Sequence, residues 1–156
     1  MKVQKQLNRH RPDEGIFGDC HRTAIACVLD MDAKDVPHFM DGKHDCEADA
    51  SHRAVEAWLN ERGLTHINVL FPGETSFDLV LQSVKNSNPN GGPHVFILGG
   101  RSRNNVNHSV VCCDGEIVCD PSIDSSGIVG PMDDGYWWVT FFGALQAVHR
   151  KMEAAA

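Results

Sequence analysis

Apolar residues fall along this chain in two rhythms, and the change between them lies near its middle. In the first half the pattern is mostly helical. Ala24-Ile25-Ala26-Cys27-Val28-Leu29 is an unbroken apolar block inside Asp19–Met31. It predicts a helix without a clean polar face, one set in the middle of the fold. Asp49–Arg62 carries Ala50, Ala54, Ala57 and Trp58 with Gly63 behind it, the pattern of an amphipathic helix with a C-terminal stop. Ser76 starts a further helix over Ser76–Val84, followed by turn formers from Asn86 to Gly92. Between these helices, Thr65–Phe71 alternates and is rich in branched residues, so it reads as a strand. Met1–Gly18 and Met40–Glu47 read as loops, and Asp32–Asp35 as a short capped turn ended by Val36-Pro37.

The second half is extended. His94–Leu98, Asn107–Cys113, Glu116–Asp120 and Tyr136–Phe142 read as strands, Asp114-Gly115 marks a hairpin between the second and third, and Ala144–Met152 suits a closing helix. Helices first and an antiparallel meander afterwards predict an α+β domain, with no βαβ wind.

Composition narrows the function classes. At 156 residues the chain suits one domain, residues 1–153, with 154–156 as an appended or disordered tail. Lys and Arg total 14 against 21 Asp and Glu, a net charge of −7. With no basic patch, a nucleic-acid partner is not expected. Met1–Pro12 lacks the apolar run of a signal peptide, and no stretch approaches the roughly 20 apolar residues that span a bilayer. The expectation is a cytoplasmic protein without a membrane partner. Its six cysteines, two of them adjacent at Cys112-Cys113, read as thiols.

Three separated segments carry chemistry. Gly18-Asp19-Cys20 places a cysteine where a loop turns into a helix, and a helix N-terminus favours the thiolate. Asn107-His108-Ser109 and Cys119-Asp120-Pro121 supply, in that order, a base and a carboxylate to orient it. The hairpin tests this grouping. A three-residue loop, Cys113-Asp114-Gly115, sets His108 directly opposite Asp120 on one face. The tighter Asp114-Gly115 turn alone would put the two side chains on opposite faces.

The order of helix-borne cysteine, strand-borne histidine and acid on the next strand resembles papain-like cysteine proteases. The local text is most similar to the bacterial peptidases that remove double-glycine leaders, through Asp19-Cys20, His108-Ser109-Val110-Val111 and Asp120-Pro121. The chain also resembles a set of small phage and bacterial proteins. The shared pattern there includes Val36-Pro37-His38-Phe39 and Gly130-Pro131 to Tyr136-Trp137-Trp138. The resemblance implies a papain-like fold, an N-terminal central helix carrying Cys20 packed on a C-terminal antiparallel sheet. It also implies a Cys20-His108-Asp120 site without a cofactor. Papain-like enzymes place a glutamine shortly before the cysteine as an oxyanion donor. Here Glu14 stands six residues before Cys20, and a glutamate cannot serve; the nearest upstream glutamines are Gln6 and Gln4, and Gln6, looping back through Pro12 and Gly15, is the oxyanion candidate.

Other residues read more plainly. Cys27 is core packing. His21 is surface-facing, and His38 and His94 are structural or rim residues. Asp19 is an N-cap whose charge opposes the thiolate. His44-Asp45-Cys46 and Cys112-Cys113 with Cys119 lack metal-ligand spacing, so no metal is expected. Gly99-Gly100-Arg101 reads as a mobile loop delivering His108, and Trp137 or Trp138 as a cleft wall.

The expected function is cysteine hydrolysis of an amide, peptide or isopeptide bond in a peptide or protein substrate. The alternatives are an acyltransferase or deamidase on the same fold, and a non-catalytic, phage-encoded binding or inhibitor protein.

Overall fold

The computed structural model describes residues 1–42, 48–87 and 91–145. Among the described residues, three α-helices, α1 (Cys20–Val28), α2 (Ala48–Asn60) and α3 (Phe77–Asn86), pack with five strands: β1 (Leu64–Pro72), β2 (Val95–Arg101), β3 (Asn107–Cys113), β4 (Glu116–Cys119) and β5 (Tyr136–Ala144). The sheet order is β1-β5-β2-β3-β4, and every pairing is antiparallel, so the fold is α+β. Most of the closing helix expected over Ala144–Met152 lies outside the described residues, as do His44, Asp45 and Cys46. Among the described residues no helix is long and apolar enough to cross a membrane.

The helical first half and the extended second half meet in two cores, one on each face of the sheet. Ile97, Val111 and Cys119 turn toward α1 and α2, where they meet Ile25, Cys27, Val55 and Leu59. Phe96, Leu98, Val110, Cys112 and Val139 turn the other way, onto Val80, Leu81 and Val84 of α3. Strands covered on both faces read as continuous apolar runs, which is why Phe96-Ile97-Leu98 and Val110-Val111-Cys112 show no alternation. In α1 the five residues from Thr23 to Cys27 are all buried, as its missing polar face predicts. Ser76 caps α3 by accepting from the Leu79 N–H at 3.3 Å. The turn at Ala33–Asp35 has no cap of its own; Gln4 Oε1 accepts from the Ala33 N–H at 3.0 Å.

The hairpin differs from the expected one. Asp114 (φ 51°) and Gly115 (φ 84°) make a two-residue turn with Cys113 opposite Glu116 and Cys112 opposite Ile117. Positive φ at both positions suits the turn whose twist matches the strands. The ladder then slips: Val111 pairs with Cys119, leaving Val118 as the extra residue of a bulge. That slip restores the parity which the short turn had inverted. Continued by one step, it sets Asp120 across from Val110, diagonal to His108 and on the same side of the ladder.

Gly99, Gly100 and Arg101 are not a mobile loop. They belong to β2, paired with Ser109, His108 and Asn107. Glycine is needed at 100 because the 128–130 segment crosses closely there. A Cβ on Gly100 would stand 2.6 Å from Ile128 Cγ2 and 2.7 Å from the Gly130 carbonyl oxygen. Gly100→Ala is therefore expected to cost about 1–3 kcal/mol, read as a lower urea midpoint. An unchanged midpoint would show that the crossing segment gives way.

Candidate active site

α1 begins at Cys20, which is half-buried, and β3 begins one residue before His108, which is buried. His108 Nε2 lies 2.7 Å from Asp120 Oδ1. Asp120 also accepts from the backbone N–H groups of Ser122 and Gly127, both at 2.8 Å. Burial alone would push the Asp120 carboxyl up, yet the hydrogen bonds from His108, Gly127 and Ser122 hold it down at about 2. An ionised carboxylate only accepts, so Nε2 carries the hydrogen that it donates. Nδ1 is the remaining nitrogen, and Cys20 lines the same cavity as His108. Burial also works against a charged His108; hydrogen bonds with Asp120 and Cys20, and the charges on both, overcome it and raise the ring to about 9.

These shifts have opposite consequences with pH. The histidine is raised, so its contribution to stability is complete below about pH 6.5 and lost as the pH climbs through about 9. The aspartate is lowered, so its contribution is complete above about pH 3.8 and lost as the pH falls through about 2. The stability gap between wild type and Asp120→Asn should thus be widest between about pH 4 and 6.5 and narrow toward pH 10. A gap that widens above pH 9 would contradict the pairing. Asp120 lies beside His108, brought there by the bulge and not by the expected three-residue loop.

The N-terminal segment completes the site. Lys5 Nζ donates to the carbonyls of Asp120 (2.9 Å) and Ser122 (2.7 Å), and the Gln6 N–H donates to the Pro121 carbonyl at 2.8 Å. The loop after β4 is thereby clamped. Gln6 does loop back to Cys20, lining a cavity of about 280 Å³ with Cys20 and His108. Its side-chain N–H group donates to the Asn8 carbonyl at 2.7 Å. Glu14 is exposed and paired with Arg11, at 2.7 Å.

Asp19 is not the expected side-chain cap. Its carboxylate, fully buried, turns back to the N–H groups of Leu7 (3.2 Å) and Asn8 (2.7 Å) and to Arg22 Nε at 2.8 Å. Arg22 thus offsets the charge that would oppose a thiolate next door. Neither Lys5 nor Arg22 was singled out from the sequence; the i,i+3 spacing of Asp19 and Arg22 was the available signal.

His21 is not surface-facing. Its Nδ1 lies 3.2 Å from Ser109 Oγ, and its ring lines a second cavity of about 460 Å³ that also reaches Cys20 and His108. Trp138 walls this cavity, its ring stacked on His52 at 5.3 Å, whereas Trp137 is core and donates to the Thr75 carbonyl at 2.9 Å. His38 is structural, with Nε2 3.1 Å from the Phe17 carbonyl. Cys27 packs in the core against Cys119, their sulfurs 3.5 Å apart, and Cys20, Cys27, Cys112, Cys113 and Cys119 are all free thiols. Among the described residues no three His, Cys, Asp or Glu side chains converge on a common point that would hold a metal ion.

No protein-family model, no curated protein and no solved structure matches this chain. The functional reading therefore rests on the site itself.

Proposed function

We propose that the protein is a papain-like cysteine hydrolase that cleaves an amide, peptide or isopeptide bond through a thioester. The observation that carries this reading is the placement of His108, with Nε2 on Asp120 and its side chain lining the same cavity as Cys20. In this reading His108 takes the Cys20 proton, and the thiolate attacks the carbonyl carbon. The imidazolium then protonates the leaving amine, and a water deprotonated by His108 releases the acid and restores the thiol. Asp120 holds the ring in the required tautomer. The Cys20 N–H and the second N–H of the Gln6 amide are the candidate oxyanion donors.

The test is capture of the acyl-enzyme. Activated acyl substrates, peptide thioesters and esters, should leave an adduct on Cys20 that intact-mass measurement detects and hydroxylamine removes. Turnover without an adduct, retained in Cys20→Ala, would contradict the mechanism. An adduct released faster by an added amine than by water would place the enzyme among acyltransferases.

One observation favours the non-catalytic alternative: the Gln6 amide already donates to Asn8. If Cys20 forms no adduct and labels like an ordinary thiol, the fold serves as a binding scaffold.

A further inference from the structure

We propose that the hydrogen bond between His21 and Ser109 is a positioning device that sets Cys20 against His108. The proposal rests on the cysteine–histidine reading above and goes beyond it, because neither residue belongs to the reacting set. His21 directly follows the nucleophile and Ser109 directly follows the base, and the two side chains meet at 3.2 Å. The contact pins the first turn of α1 to the start of β3, one residue beyond each reacting group.

Packing alone does not explain either residue. Ser109 is a buried hydroxyl in a strand whose next three residues, Val110, Val111 and Cys112, are fully buried and apolar. The His21 side chain is half-buried at the wall of the larger cavity. Burying a hydroxyl and an imidazole costs desolvation that one hydrogen bond only offsets, and two apolar side chains of similar shape would be about as stable. A polar pair kept in such a place fixes geometry, which apolar contact does not.

The groups around His21 keep its ring in one protonation state across the working range. His52 of α2, His66 of β1 and Asp134, ahead of β5, line the same cavity. Burial, with the charges of His52 and His66, pushes the His21 ring down to about 4. It is neutral at neutral and mildly acidic pH, so its role does not switch where the Cys20–His108 pair operates.

The test measures the rate of Cys20 alkylation by iodoacetamide from pH 5 to 10, peptide-mapped, beside the urea midpoint. Ser109→Ala and His21→Leu are each expected to slow labelling at pH 6 about tenfold and to move the profile toward that of a free thiol near pH 8.5. The double variant His21→Leu/Ser109→Ala should keep its urea midpoint. His21→Asn, whose amide occupies the place of Nδ1, should restore the wild-type profile. The proposal fails if both single variants label as wild type while His108→Ala does not. It also fails if the double variant loses its fold while the profile of each single variant is unmoved, since the pair is then structural. A wild type that labels no faster than His108→Ala overturns the parent reading, and that signature is separate.

Discussion

Asp19→Ala is expected to destabilise the protein by about 3–5 kcal/mol, more than any other single change near the site. The carboxylate is 1% exposed and meets four donors: the N–H groups of Leu7 and Asn8, and Arg22 through Nε at 2.8 Å and a terminal nitrogen at 2.7 Å. Its removal leaves two backbone donors and a largely buried guanidinium without their acceptor. The cost is the desolvation of those groups, which exceeds the net worth of the pair itself. The effect reaches the site, because Leu7 and Asn8 hold the segment that carries Lys5 and Gln6. Asp19→Asn keeps the shape and one acceptor oxygen, so a smaller loss of about 1–3 kcal/mol is expected. Urea unfolding of the three proteins checks the order. Equal midpoints for wild type and Asp19→Ala would show that the segment is held by other contacts.

The second large effect is on chemistry. His108→Ala is expected to lower turnover about 10²–10⁴-fold, and Cys20→Ala to abolish it. Cys20 is half-buried at a helix start and its sulfur carries no part of either core, so Cys20→Ala should stay folded and give up only its share of the interaction with His108. His108→Ala gives up its ion pair with Asp120 and should lose stability as well. Activity must therefore be measured on protein shown to be folded. A His108→Ala protein that turns over as wild type would remove the base from the mechanism.

The sequence was most legible where local pattern and burial agree. Asn107–Cys113 is a strand with both ends as read, because its run of apolar residues is covered on both faces. The unfaced α1 block could only be central, and it is. Cys20, His108 and Asp120 share one end of the fold as the chain order suggested. What was missed depends on distant parts of the chain. Gly99 and Gly100 look like a loop until Trp138 is known to pack against the first and the 128–130 segment to cross the second, with the Arg101 N–H donating to the Gly130 carbonyl at 2.7 Å. The bulge at Val118 has no glycine to announce it, and it corrects a parity that only the partner strand defines. Asp19 reads as a cap because its rivals, the N–H groups of Leu7 and Asn8, lie twelve and eleven residues away. His21 reads as outward because it directly follows Cys20 and points around the helix from it; α2 and β1 supply the cavity that it lines.

The most direct measurement of the central claim is the pH dependence of Cys20 labelling by iodoacetamide, mapped by mass spectrometry, in wild type and His108→Ala. The account predicts that wild-type Cys20 labels rapidly near pH 6, ahead of the other thiols, and that His108→Ala shifts its labelling toward the free-thiol range near pH 8.5. Cys20 labelling with one and the same profile in both proteins would show that no activated cysteine–histidine pair exists.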